Sequence, residues 1–512
     1  MRIGIDVGGT HTDAAIVDGG TVVASYKAVT SMDITSGILE ALNAVVDKAQ
    51  IATSEIRAVM LGTTQFTNAV VERRHLTEAA VIRLCLPAGE CLPPMVDWPG
   101  ELADTLGNHS YMAHGGNEYN GEVVSPLDEG ELNKIIDSIS ESGARALAIS
   151  ASFSPLHPEM EIRVADLVRS RLPGMPVVLS HELGRLGILE RENAALLNAS
   201  LLDMAQNVVS AFENALAESN INAPFFVSQN DGTIMHADMV RRFPILTFSS
   251  GPTNSMRGAA HLSGIKNAIV ADVGGTTTDV GMLISGFPRE SSWNVEIGGV
   301  RSNFRMPDIL AIGLGGGSLI SESGDTIGPQ SVGNKLHEEA ICFGGNVLTA
   351  TDIGVASGIF DLGDRSRLDS LAEGVADTAL STMQEMVSRA VEQVKTGPDD
   401  LPLIVVGGGE FLIGNSIAGI SEIHRPPNCE VANAVGAALA QVSGECEILH
   451  HPRTEARDKI LAKASELAKK RALANGAMAK GLEIISIDEI PIPYMAEETV
   501  RIHARAVGNL DI

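Results

Sequence analysis

The sequence predicts an α/β fold made of two related lobes with a small C-terminal extension. A near-exact repeat is the first sign of it. Asp6-Val7-Gly8-Gly9-Thr10-His11-Thr12-Asp13 returns as Asp272-Val273-Gly274-Gly275-Thr276-Thr277-Thr278-Asp279, with seven of eight positions unchanged. The flanks repeat as well, since each copy follows a short apolar run and precedes another. The third sign is the buried-strand run Leu403 to Val406, which ends in Gly407-Gly408-Gly409-Glu410 and leads into a helix-like stretch from Phe411.

Each repeat reads as a β-meander. Ile3 and Ile5 precede the first turn, Ala14 to Val17 follow it, and Gly19-Gly20 turns the chain into Val22-Val23. Ala268 to Ala271, Val280 to Ile284 and Ser285-Gly286 repeat that plan. The turns suit a polyphosphate. Gly8, Gly9, Gly274 and Gly275 let backbone N–H groups approach an anion. Thr10, Thr12, Thr276, Thr277 and Thr278 offer hydroxyl donors. Asp6 and Asp272 repel phosphate, but across a nucleotide they suit a hydrated Mg²⁺, which keeps waters and takes one or two carboxylates. Strand, glycine turn and helix at Gly407, Gly408, Gly409 and Glu410 is how α/β folds seat a nucleotide. No GxxxxGK[ST] loop occurs.

The remaining elements follow in order. Residues 1–180 form the first lobe, with a helix at Gly37 to Ala49 and a strand at Val59 to Gly62. The polar turn Thr63 to Asn68 enters a helix, and residues 87–126 read as an irregular loop, either a lid or a surface excursion. Helices at Leu132 to Ser140 and Pro158 to Arg171 alternate with strands at Ala146 to Ala151 and Val177 to Ser180. Residues 181–446 form the second lobe. It has helical patterning over Glu190 to Glu218 and short strands near Phe225 and Gly232. The Ser249 to Pro252 turn opens a helix. Gly313 to Ser318, including Gly315 and Gly316, is a tight turn or a backbone contact to substrate or the γ-phosphate. Residues 366–396 and Ala432 to Ser443 read as helices. Residues 447–512 form the extension, a charged helix over Arg453 to Lys480 and two strands, either a subdomain or an oligomer contact.

Composition narrows the function. A net charge of −27 argues against nonspecific nucleic-acid or anionic-membrane binding, and no apolar run reaches the roughly 20 residues that span a bilayer. With five cysteines and no CxxC, the expectation is a reduced cytoplasmic protein with buried free thiols, and no zinc site is assigned. Nothing at residue 1 reads as a signal peptide.

The order of two phosphate turns and a late glycine turn resembles the actin, sugar kinase and heat-shock ATPase superfamily, in which the late turn holds adenosine. More narrowly, the chain resembles the hydantoinase A/5-oxoprolinase family. The match runs through Ile5 to Asp13, Leu61-Gly62-Thr63-Thr64 with Thr67-Asn68-Ala69 and Glu72-Arg73, Ser180-His181-Glu182, Ser250-Gly251-Pro252 and Asp272 to Asp279. It continues through Gly313 to Ser318, Ile327-Gly328-Pro329, Cys342 to Gly345 and Thr351-Asp352. The resemblance implies a two-lobed actin-like ATPase fold with duplicated β-meander phosphate turns. It implies ATP and Mg²⁺ as cofactors, a small cyclic amide (hydantoin, 5-oxoproline or a related lactam) as substrate, a possible second hydantoinase-type subunit, and an oligomer. Asp6 and Asp272 would organise the metal. Asp13 and Asp279 would orient hydroxyls or water, and Thr63, Thr64 and Asn68 would face the substrate. Two segments depart from the family: Thr253-Asn254-Ser255 replaces a glycine-rich stretch, and Leu336 to Ala340 replaces a Pro-Gly-Pro segment. Alternatives at this stage are a small-molecule kinase and a nucleotide-switched, chaperone-like reactivating factor. The iron–sulfur activator ATPases need cysteine spacing this chain lacks.

Overall fold

The computed structural model describes residues 1–8, 11–29, 34–291, 295–303, 306–450, 456–492 and 499–512. Two main sheets dominate it. The first has nine strands, in the order Glu483–Pro491, Val500–Gly508, Gln441–His450, Thr233–His236, Phe225–Ser228, Ala58–Thr63, Arg2–Val7, His11–Asp18 and Thr21–Val29. The second has six, with Ala268–Val273 between Thr278–Ile284 and Leu401–Val406. A four-stranded parallel sheet of His109–His114, Ala79–Leu86, Ala146–Ala151 and Val177–Leu179 is set beside the first.

The repeat in sequence is a repeat in register. Asp6 pairs with Asp13 and Val7 with Thr12, and in the second sheet Asp272 pairs with Asp279 and Val273 with Thr278. Each meander then takes a parallel neighbour on its first strand, aligning Asp6 with Gly62 and Asp272 with Val406. The expected α/β architecture with duplicated meanders is therefore the observed one. Its central strands are buried along almost their whole length, as strands covered on both faces must be.

Helices Ser250–Ser263 and Ala432–Leu439 cross between the two sheets with their backbones touching. A Cβ on Gly258 would lie 1.9 Å from the Ala432 carbonyl oxygen, and one on Gly436 would lie 1.9 Å from that of Asn254. Gly4 likewise admits Ala434 against the first strand. Gly436→Ala is expected to destabilise the chain by on the order of 3 kcal/mol, because the obstruction is backbone and cannot swing aside. An unchanged melting temperature would show that the helices separate at little cost.

Several expectations change. The nine-stranded sheet draws on residues from both sides of 180, and the boundary expected at 446 falls inside Gln441–His450, so the extension's two strands complete the first sheet. The span expected to be irregular holds the helix Gly100–Thr105 and the strand His109–His114. The helical span from Glu190 is two helices, Ile188–Ser200 and Leu202–Glu218. Helix Gln65–Glu72 begins inside the expected turn. Only a short 3₁₀ turn, Glu410–Leu412, follows the late glycines, because Gly414, Asn415 and Ser416 break the pattern. The helix expected to Ser443 ends at Leu439, where the chain enters the sheet. Cys91 is exposed, whereas the other four thiols are buried. Among the described residues no helix is long and apolar enough to cross a membrane.

Candidate nucleotide site

The two phosphate turns close in the same way. The Gly8 N–H donates to the His11 carbonyl at 3.0 Å and the Gly274 N–H to the Thr277 carbonyl at 2.9 Å. Both turns face a cleft of about 290 Å³, with Gly8, His11 and Asp13 on one wall and Asp272, Gly274 and Gly275 on the other. Gly407, Gly408 and Gly409 line its third side. The sites predicted at the three glycine turns are thus brought together. Gly9 and Thr10 lie outside the described residues.

The carboxylates are layered. Asp272 and Asp13 reach the cleft wall, and Asp6 is 4% exposed one layer behind. Asp6 accepts from Asn254 Nδ2 at 3.4 Å and from Asn433 Nδ2 at 3.1 Å, and the same amide nitrogen of Asn433 donates to Asp13 at 2.8 Å. Lys27 Nζ lies 2.7 Å from Asp13. Gly62 makes this possible, since a Cβ there would fall 2.1 Å from Asp6 Oδ1. Burial, then Asp13, pushes Asp6 up to about 7, despite the two amides. Asp279 also rises to about 7, through burial and then Asp272. Asp272 is raised by burial, which its hydrogen bond from Ser255 only partly offsets. The first-lobe pair has Lys27 as counter-ion, whereas no cation contacts Asp279 among the described residues. Of these carboxylates only Asp272 and Asp13 line the cleft, and among the described residues no group of three or more His, Cys, Asp or Glu side chains is gathered as a metal site.

Other predicted residues sit differently. Thr12 is 1% exposed and cannot face a ligand directly. Thr277 is exposed at its turn tip, and Thr276 packs its backbone against Gly315. The glycine loop is chiefly a buttress for the second turn. The Gly316 N–H donates to Gly274 O at 3.1 Å, the Gly317 N–H to Gly275 O at 2.7 Å, and Gly315 is buried behind them. Of that loop, Gly316 also lines the cleft. Glu410 does not line the cleft; it pairs with Arg425 at 2.9 Å. Thr63 is buried, its hydroxyl accepting from the Gln65 N–H, while Thr64 packs near Gly251 and Asp6. Asn68 is exposed on its helix. Cys342 is buried, and its thiol is pushed up to about 12 by burial.

Sequence reasoning missed half of the wall. Lys27 was within reach, since it pairs across the meander with Asp13. Asn433, Ser255 and His337 carry no local signal. Phe411, expected to start a helix, lines the cleft with Leu336 and Leu362, its ring packed on Phe360 with centroids 3.8 Å apart. The cleft thus combines carboxylates and glycine turns with apolar and aromatic side chains.

Comparison with known proteins places this architecture. The model of the hydantoinase/oxoprolinase N-terminal region matches residues 2–172, and that of hydantoinase/oxoprolinase matches 191–361 and 355–445. The acetophenone carboxylase gamma subunit of Aromatoleum aromaticum is 27% identical over 401 residues, covering 70% of this chain and 53% of that subunit. Caprolactamase subunit alpha of Pseudomonas jessenii is 28% identical over 476 residues, covering 85% of this chain and 65% of that subunit. The chain thus spans between half and two thirds of the length of these two relatives. The crystal structure of the ATP-dependent caprolactamase from Pseudomonas jessenii superposes with a TM-score of 0.79 at 20% identity, covering 100% of this chain and 88% of that one. The matched regions account for most of the sequence, and the protein belongs to the hydantoinase/oxoprolinase family.

Proposed function

We propose that the chain binds ATP with Mg²⁺ and uses it to open a small cyclic amide such as a hydantoin, 5-oxoproline or a related lactam, alone or as the ATPase subunit beside a second subunit. The observation that carries this reading is the pair of meander turns, identical in register, facing one cleft with a third glycine turn. Family membership supports the substrate class.

The chemistry follows from the amide. Resonance makes a lactam carbonyl a poor electrophile. Its oxygen attacks the γ-phosphorus, the bond to the bridging oxygen breaks, and ADP leaves. Water then adds at the now electrophilic ring carbon, the C–N bond breaks as the nitrogen takes a proton, and a second water hydrolyses the resulting acyl phosphate to carboxylate and free phosphate. The protein's part is positioning and charge stabilisation. Gly8, Gly274 and Gly275 would let backbone approach the phosphates, and Gly407 to Gly409 with Phe411 would hold the nucleoside. Asp272, backed by Asp6 and Asp279, would hold a divalent cation that neutralises phosphate charge. Asn433 and Lys27 keep Asp13 and Asp6 fixed in place. Thr64, beside Asp6 and Gly251, is the substrate-side candidate that the packing favours.

ADP release by the purified chain, measured with hydantoins, 5-oxoproline and other small lactams, tests the reading. Stimulation by one ring compound, with opened product formed in step with ADP, is the expected result. A phosphorylated product that is released intact would make the protein a kinase. Turnover indifferent to every amide, with and without a second subunit, would defeat the proposal.

A further inference from the structure

The two phosphate turns differ at one position, where the first has His11 and the second Thr277. A second histidine, His337, lies far away in sequence. The fold brings the two together. His11 projects from the first meander and His337 from the short helix Leu336–Glu339 of the other lobe, and both line the same cleft. They are near enough that His337 disfavours the charge of His11. Burial, then Lys27 and His337, hold His11 low, with Asp13 opposing.

The groups around them define what these imidazoles can meet. Asp13, Asp272 and Glu430 line the cleft as carboxylates, and Lys27 is the permanent cation among its described residues, held on Asp13. An anion entering here meets more negative than positive charge, and needs donors that add no fixed repulsion elsewhere. A neutral imidazole supplies an N–H donor, and a protonated one adds a charge. His337 packs its ring on Phe343, with centroids 4.5 Å apart, which fixes its plane.

We infer that His11 and His337 form a two-sided clamp on the terminal phosphate, one imidazole from each lobe, so that the cleft distinguishes a nucleoside triphosphate from a diphosphate. The inference rests on the nucleotide reading above and deepens it. Both residues are positioning groups for the phosphoryl that is transferred.

Binding of ADP and of the β,γ-imido analogue of ATP, each with Mg²⁺, separates the possibilities by calorimetry. His11→Ala and His337→Ala are each expected to weaken the analogue about tenfold, the scale of one hydrogen bond to a charged group, and to leave ADP within about twofold. His11→Gln, which keeps an N–H donor, should recover part of the loss. Equal weakening of both nucleotides would mean that the residues merely support the cleft, and overturns the clamp, as does unchanged affinity for the analogue. A wild-type chain that binds neither nucleotide overturns the nucleotide reading and the clamp with it.

Discussion

Asp272→Asn is expected to lower Mg²⁺-dependent ATP turnover by at least about a hundredfold, the scale of losing one preorganised electrostatic partner of the transferring group. The chain should stay folded and become slightly more stable. Asp272 is raised by burial and by Asp13, so the wild-type protein holds a charge its surroundings disfavour. Asparagine removes that charge and can still accept the hydrogen bond from Ser255. The shape is kept as well, which matters because Gly407 packs against this side chain. ADP release and the melting temperature, measured together, separate the two effects. Asp6→Asn should also lose most turnover. Near-normal turnover in either variant would remove that residue from the metal role, and a collapsed melting temperature in Asp272→Asn would show that the charge is structural.

The second large effect is expected at Gly408. Its neighbours on either side are locked: a Cβ on Gly407 would fall 2.5 Å from Asp272 Oδ1 at a φ of +91°, and one on Gly409 would lie 2.8 Å from Val273 Cγ1. A Cβ on Gly408 meets nothing within 4 Å, though the residue lines the cleft. Gly408→Val therefore leaves the fold intact and places a branched side chain in the nucleotide's space. Affinity for ADP should fall by more than about a hundredfold, which corresponds to about 2.7 kcal/mol, with circular dichroism unchanged. Unaltered ADP affinity would mean that the nucleoside lies elsewhere.

What was legible in the sequence was what repeats or what is local. The meanders could be read because one eight-residue pattern, with apolar runs on both sides, specifies strand, turn and register together. Asp272, Gly8, Gly274 and Gly275 were singled out on that basis and line one cleft, with Asp6 buried behind it. The division at 180 and 446 lies close to the limits of the matched family regions, yet the nine-stranded sheet crosses it, because sheet membership is non-local. Phe225–Ser228 and Gln441–His450 look like ordinary strands, and nothing in their residues says which sheet takes them. Glu410 was misplaced by proximity to a glycine turn, when Arg425 was the nearer attraction. Asn433, which holds Asp6 and Asp13 at once, lies in a small-residue helix that reads only as packing.

The nine-stranded sheet has a consequence for how the protein is made. Its first three strands leave the ribosome early, while Gln441–His450, Val500–Gly508 and Glu483–Pro491 come last, with the whole second sheet formed from chain in between. The first lobe is therefore not a unit of synthesis. It waits, with Thr233–His236 as a bare edge, for partners more than two hundred residues away, and closing so long a connection is slow. The six-stranded sheet and its helices have their strands within one continuous span and can settle first. The two main sheets therefore differ in how much chain must be made before each can be completed, although both contribute a turn to the same cleft.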